Sequence, residues 1–263
     1  MPFASAAGVR IRYELAGPER APVVVLSHSL GADLAMWDPQ ARALAERFRV
    51  LRYDSRGHGE SAVPAAPWSL EAVSRDVLAL LDALGLERVH FCGLSMGGLV
   101  GMWLGANAAE RVERLVLCST AAKIGSDESW NARIKSVDAG GMAAVSQAIV
   151  ERWFTPGFRE KAPEVVARTK AQLERTPPTG YTRTCAAIRD ADCRPSLAAV
   201  AAPTLVVSGR SDPATPPAEG QAIARALRRA RYVELEASHL SNLEAEAAFT
   251  ATLSGFLAGE RSA

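Results

Sequence analysis

The chain has 263 residues, and its 30 lysines and arginines against 29 aspartates and glutamates leave a net charge of +1. That length can bury one large core, or a core with a small accessory unit, and the balanced charge gives no electrostatic reason to expect nucleic acid or an anionic membrane as partner. The uncharged stretch between Arg194 and Arg210 is broken by Pro195 and Pro203 and falls short of a membrane span.

The first residues, Met1-Pro2-Phe3-Ala4-Ser5, carry neither a basic stretch nor an apolar run, so no secretory leader is expected. Residues 9–15 alternate and predict an outer strand, whereas Val23-Val24-Val25-Leu26 is continuously apolar, as in a strand covered on both faces. Residues 50–53 predict a further strand. Leu70, Val73, Val77, Leu80, Leu81 and Leu84 then mark one face of a helix, with Ser69 as N-cap and Gly85 as its stop. Residues 89–92 read as a short buried strand, followed by Gly93-Leu94-Ser95-Met96-Gly97 and a helix through about Ala109. Gly97, Gly101 and Gly105 lay a smooth stripe along that helix, which lets it lie close to a sheet. Residues 115–118 predict the next strand. Between residues 122 and 187 strand signals stop, and helical patterns with Trp130 and Trp153, interrupted by Pro156, Pro163, Pro177 and Pro178, predict an inserted helical cap. Residues 204–207 and 232–235 return to strands. The final helix buries Phe249, Leu253, Phe256 and Leu257, with Ser241-Asn242-Leu243-Glu244 read as a capping box at its start. Strands alternating with helices predict an α/β fold with a mostly parallel sheet, the core made of residues 1–121 and 188–263 and the cap of residues 122–187.

Cys92, Cys118, Cys185 and Cys193 form no Cys-x-x-Cys, and the first two lie in apolar strands as small hydrophobes, so a reduced, cytoplasmic compartment is expected. His28, His58, His90 and His239 show no ligand spacing to one another or to the cysteines, so no metal site is expected.

A Gly-x-Ser-x-Gly at a strand-to-helix turn pushes its serine off the end of the sheet with the hydroxyl exposed, and the glycines avoid clashes in that turn. Ser95 is therefore the candidate nucleophile. A serine hydroxyl needs a base, and the base needs an orienting acid, in the chain order Ser…Asp/Glu…His for this turn. Asp212 follows the strand at 204–207, and His239 lies between the last strand and the last helix. Asp190 and Asp192 precede the strand and are rivals only in residue type; a plain Asx-turn before Pro213 is the alternative for Asp212. The developing oxyanion needs two amide donors: Met96, next after the nucleophile, and Leu30, in the loop after the strand at 23–26. His28, in the same loop, reads as a residue that shapes it. Asp54-Ser55-Arg56-Gly57-His58-Gly59 reads as a shaped turn carrying an ion-pairable Asp/Arg.

These residues together resemble the α/β-hydrolase fold family, and within it the enol-lactone hydrolases of aromatic-compound catabolism. The resemblance runs through Leu26-Ser27-His28-Ser29-Leu30-Gly31, the turn at 54–59, Phe91-Cys92-Gly93-Leu94-Ser95-Met96-Gly97-Gly98, Ser129-Trp130-Asn131-Ala132-Arg133 and Arg152-Trp153-Phe154. Two positions depart from the pattern: His28, where many relatives carry asparagine, and Ser55, where they carry threonine. The resemblance implies an eight-stranded sheet, an acyl-enzyme on Ser95, no cofactor, and a small anionic lactone as substrate. Because that substrate carries a free carboxylate, it also implies a cation in the pocket. Arg133 and Trp130, three apart on one helix face, suit the roles of carboxylate partner and pocket wall, against an ordinary surface arginine beside a core tryptophan. Other readings of the same fold are a carboxylesterase, a perhydrolase, a carbon–carbon bond hydrolase, or a non-catalytic small-molecule receptor.

Overall fold

The apolar runs become eight strands of one sheet: β1 (Phe3–Ala6), β2 (Val9–Ala16), β3 (Val23–Ser27), β4 (Arg49–Tyr53), β5 (Val89–Leu94), β6 (Val112–Cys118), β7 (Thr204–Gly209) and β8 (Ala230–Leu235). The structure is a computed structural model in which residues 2–65 and 68–260 are described. Its strand order is β1-β2-β4-β3-β5-β6-β7-β8. β1 and β2 run antiparallel to their neighbours, and β4 through β8 are parallel. The strand read as an outer one, β2, is second from the edge, between β1 and β4. β1 has only four residues, Phe-Ala-Ser-Ala, too short and too weakly patterned to register as a strand by periodicity.

Helices cover both faces. They are α1 (Asp38–Leu44), α2 (Leu70–Ala83), α3 (Met96–Asn107), α4 (Asp127–Gly140), α5 (Ala143–Trp153), α6 (Pro156–Lys161), α7 (Pro163–Glu174), α8 (Pro178–Asp190), α9 (Pro217–Ala226), α10 (Ser241–Glu244) and α11 (Glu246–Leu257). Ser69 caps α2 by accepting the Ala72 amide at 3.1 Å. The glycine stripe of α3 does what its spacing implies: a β-carbon on Gly101 would press on Leu115, Leu117 and Phe91 side chains at 3.0–3.2 Å, so the helix lies flush on the sheet. Four of the five central helices, α4 to α8 leaving α6 aside, have 11 to 14 residues, and all five stand between β6 and β7.

The end of the chain departs from the capping-box reading. Ser241 is already helical, in the single turn α10, and Leu240 occupies the N-cap position without a side-chain bond. Glu244 does not turn back to the helix start. Its carboxylate accepts the Ser238 amide at 2.9 Å, and also the amide and hydroxyl of Thr155, donors that lie outside the regular helices and strands and are partly or wholly shielded from water.

β3 leads outward to β4, and the chain then returns to β5 on the other side of β3. Open α/β sheets bind ligands at such a reversal, outside the carboxyl ends of the strands. The loops after β3 and β5 meet there. All four cysteines are free and buried, no helix among the described residues is long and apolar enough to cross a membrane, and no metal-binding cluster occurs among them. Replacing Gly101 by leucine should destabilise the fold by about 1–3 kcal/mol through overpacking against β5 and β6, read as a lower urea midpoint at unchanged m-value.

Candidate active site

Ser95 sits between β5 and α3 with φ +57° and ψ −110°, a backbone conformation that side-chain-bearing residues rarely adopt. Neighbouring glycines make the turn sterically possible. A β-carbon on Gly93 would overlap the carbonyl of Gly97, and one on Gly97 would overlap the carbonyl of Ser27. Gly98 faces the Thr120 side chain at 2.6 Å from the same hypothetical carbon. The turn is tied on both sides: the Ser95 amide donates to Cys118 O at 2.9 Å, and the Thr120 hydroxyl donates to Ser95 O at 2.8 Å.

Asp212 and His239 come together although they are 27 residues apart. His239 Nδ1 lies 2.8 Å from Asp212 Oδ2, with both side chains almost wholly buried. The carboxylate can only accept, so Nδ1 carries the proton and Nε2 is left basic. The two carboxylate oxygens divide the work. Oδ1 accepts the amides of Ala214 at 2.8 Å and Thr215 at 3.1 Å, an Asx-turn, while Oδ2 meets His239 and the Thr215 hydroxyl, the latter at 2.8 Å. One side chain thus makes both the Asx-turn and the contact with His239. Burial works to raise the Asp212 carboxyl, but the His239 charge and hydrogen bond, helped by Thr215, outweigh it and hold the group below its ordinary value. The rival acids are occupied elsewhere: Asp190 pairs with Arg189 at 2.8 Å and Asp192 with Arg194 at 2.5 Å, both on the surface.

Ser95, Leu30 and His239 line one cavity of about 230 Å³. Met96 opens α3, so its amide has no acceptor within the helix and is free to serve a ligand. Much of the remaining wall comes from the helices between β6 and β7, with Trp130 and Arg133 from α4, Arg152 and Trp153 from α5, and Tyr181 and Ile188 from α8, and Pro213 and Ala214 add to it from the loop after β7. Trp130 is anchored by its indole N–H on Ile124 O at 2.6 Å, and the Arg133 guanidinium lies 4.8 Å from the Trp130 ring centroid. The sequence does not single out Thr215 and Tyr181, and Arg152 enters only within the resemblance, with no role of its own. Only Thr215, three residues after Asp212 in the Asp212-Pro213 turn, has a local signal, that of a hydrogen-bonded turn.

The loop histidine is structural. His28 Nδ1 donates to Ser29 O at 2.7 Å, and Nε2 accepts the Ser55 amide at 2.9 Å. This pins the Ser29-Leu30 segment to the turn after β4. That turn is built differently from the Asp54/Arg56 pair its sequence suggested. Asp54 accepts the amides of Leu34 and Glu60 and lies 3.5 Å from Arg12, while Arg56 pairs with Asp76 at 2.5 Å. Both partners come from distant segments, which the local spacing could not reveal.

A model of the alpha/beta hydrolase fold matches residues 22–246. The chain belongs to the α/β-hydrolase fold family. Among α/β-hydrolases it is similar to 3-oxoadipate enol-lactonase 1 of Acinetobacter baylyi, 40% identical over 95% of this chain and 94% of that one. 3-Oxoadipate enol-lactonase 2 of the same organism is 39% identical, over 93% and 92% of the two chains. The crystal structure of the enol-lactonase from Burkholderia xenovorans LB400 superposes with a TM-score of 0.96 at 47% identity, covering 98% of this chain and all of that one.

Burial lowers the proton affinity of His28 to about 4 despite its bond to Ser29, and burial together with the nearby His28 lowers that of His58 to about 3. Both are neutral in the fold, whereas in the unfolded chain each protonates near 6.5. The unfolded state therefore binds more protons below that value, so stability is full above pH 6.5 and falls as pH drops toward 4. Between pH 7.5 and 4.5, His28 alone should account for a loss of about 2–3 kcal/mol, and His28→Asn should flatten that part of the pH profile in urea titrations.

Proposed function

We propose that this protein is a serine hydrolase that opens 3-oxoadipate enol-lactone to 3-oxoadipate, as the names of its relatives say of them. The observation that carries this reading is the lining of the cavity over Ser95: arginines and no carboxylate, opposite a histidine whose second nitrogen is held by Asp212. A small anionic lactone fits such a cavity; a long neutral acyl chain does not.

In this reading Ser95 attacks the lactone carbonyl while His239 Nε2 takes its proton, and the amides of Leu30 and Met96 receive the developing oxyanion. The ring C–O bond breaks, and the leaving enol oxygen takes the proton from the imidazolium, which Asp212 stabilises. The enol stays tethered to the acyl-enzyme, where its effective concentration favours re-closure. Ketonisation removes the nucleophilic oxygen and makes opening one-way. Water, deprotonated by His239, then attacks the acyl carbonyl, and the diacid leaves with the proton returned to Ser95. Arg133, braced on Trp130, holds the substrate carboxylate, and the helices of residues 122–187 act as the cap that selects the substrate.

A fluorophosphonate probe should label Ser95 in the native protein and not in Ser95→Ala; an unlabelled native protein would discard the hydrolase reading. Enol-lactone loss, followed in the ultraviolet beside 4-nitrophenyl acetate, should favour the lactone, and Asp212→Asn should lower kcat by about 10³–10⁴ with little change in KM. Strong preference for the nitrophenyl ester would discard the substrate and keep the mechanism.

A further inference from the structure

The cavity holds two guanidinium groups, and the second of them has no place yet in the reaction. Arg133 comes from α4 and Arg152 from the last turn of α5. Both are partly buried and both line the cavity that contains Ser95 and His239, whose lining includes no aspartate or glutamate. Among the described residues neither is in a side-chain ion pair; the Arg133 guanidinium lies over the Trp130 ring, 4.8 Å from its centroid, while Arg152 Nε donates to Ala148 O at 3.2 Å. That last bond uses one of five N–H donors on Arg152.

Burial, followed by the charge of Arg133, makes Arg152 a weaker base than an ordinary arginine. Guanidinium groups nonetheless stay protonated in proteins, so the repulsion cannot be relieved by losing a proton. Two like charges facing one poorly solvated cavity are relieved by an anion that both can reach. A planar carboxylate, with two oxygens, matches two donors of this kind.

The backbone around Arg152 is joined to the loop that carries His239. Arg152 O accepts the Ser238 hydroxyl at 2.7 Å, and Trp153 O accepts the Leu240 amide at 3.0 Å. Glu244 accepts from both Thr155 and Ser238. The residues on either side of the histidine are therefore hydrogen-bonded to Arg152 and its neighbour. The backbone that carries the second cation is thereby tied to the loop that carries the base.

We propose that Arg152 is a specificity-determining residue which, with Arg133, clamps the substrate carboxylate, and that its attachment to the His239 loop fixes how far that carboxylate stands from the reacting carbonyl. The clamp reads charge and length together. This rests on the proposed hydrolysis of a carboxylate-bearing lactone and names the part of the site that recognises it.

The test compares Arg152→Ala and Arg152→Lys with the native enzyme on the enol-lactone and on its neutral carboxamide analogue. Arg152→Ala should raise KM for the carboxylate substrate by about tenfold or more, with the carboxamide changed less than about twofold. Arg152→Lys, which keeps the charge without the planar fork, should recover part of the loss. A structural role would depress both substrates alike, and that outcome, or an unchanged ratio of the two kcat/KM values, overturns the clamp. If Arg152→Ala does not fold, inhibition of the native enzyme gives the answer: adipate should compete and adipamide should not, and equal inhibition overturns the proposal. If the native enzyme ignores the enol-lactone altogether, mono-4-nitrophenyl succinate against 4-nitrophenyl butyrate makes the same comparison. A charge preference lost in Arg152→Ala, or weakened but not lost in Arg152→Lys, then supports the clamp and discards only the lactone, while no preference in the native enzyme, or one that both variants keep in full, overturns the clamp.

Discussion

The fold is organised around one strained residue. Ser95 is held at positive φ, a conformation that costs on the order of 1–3 kcal/mol and persists only when the surroundings over-determine it. The surroundings do so from three directions. β6 accepts its amide, Thr120 and the first turn of α3 donate to its carbonyl, and Gly93, Gly97 and Gly98 leave no side chain in the way. The same closeness that makes the turn possible lets α3 lie against β5 and β6. Its N-terminus, with unused amides, is thereby brought to the reversal point of the sheet.

The second organising feature is the way buried and half-buried carboxylates are used. Asp212 meets three different donors besides His239 and keeps its charge despite burial. Glu244 gathers the amides of Ser238 and Thr155 and so joins the helical segment to the histidine loop. Asp54 stitches β4 to the segment before α1 through the Leu34 amide. Each sits where several backbone N–H groups would otherwise be buried without partners, which is the costly alternative. The loop positions around the cavity are set by these carboxylates rather than by the sheet alone. On the opposite side, Gly31 approaches Leu173 and Tyr181 so closely that the loop after β3 and the helices above it pack as one surface.

Much of this was legible from residue order because the determinants are local. The continuous apolar runs of β3, β5 and β7, the period of α2 with its Ser69 cap, and the glycine spacing of α3 are short-range patterns, and each appears in the structure as written. What misled was also local: Ser241 to Glu244 has the form of a capping box, but the donors that Glu244 serves lie at Ser238 and Thr155. β1 was missed because four weakly patterned residues acquire a strand conformation only from pairing with β2.

The sequence by itself determined the α/β alternation, the serine turn, and the order in which an acid and a histidine follow it, since propensity, period and motif spacing act over a few residues. Only the tertiary structure decided which groups meet. It brought Asp212 within 2.8 Å of His239, paired Arg56 with Asp76 instead of Asp54, and set Arg152 beside Arg133 in the cavity over Ser95. Those contacts join segments tens of residues apart. Their partners are selected by packing and by the need to satisfy buried polar groups, neither of which is written in the spacing along the chain.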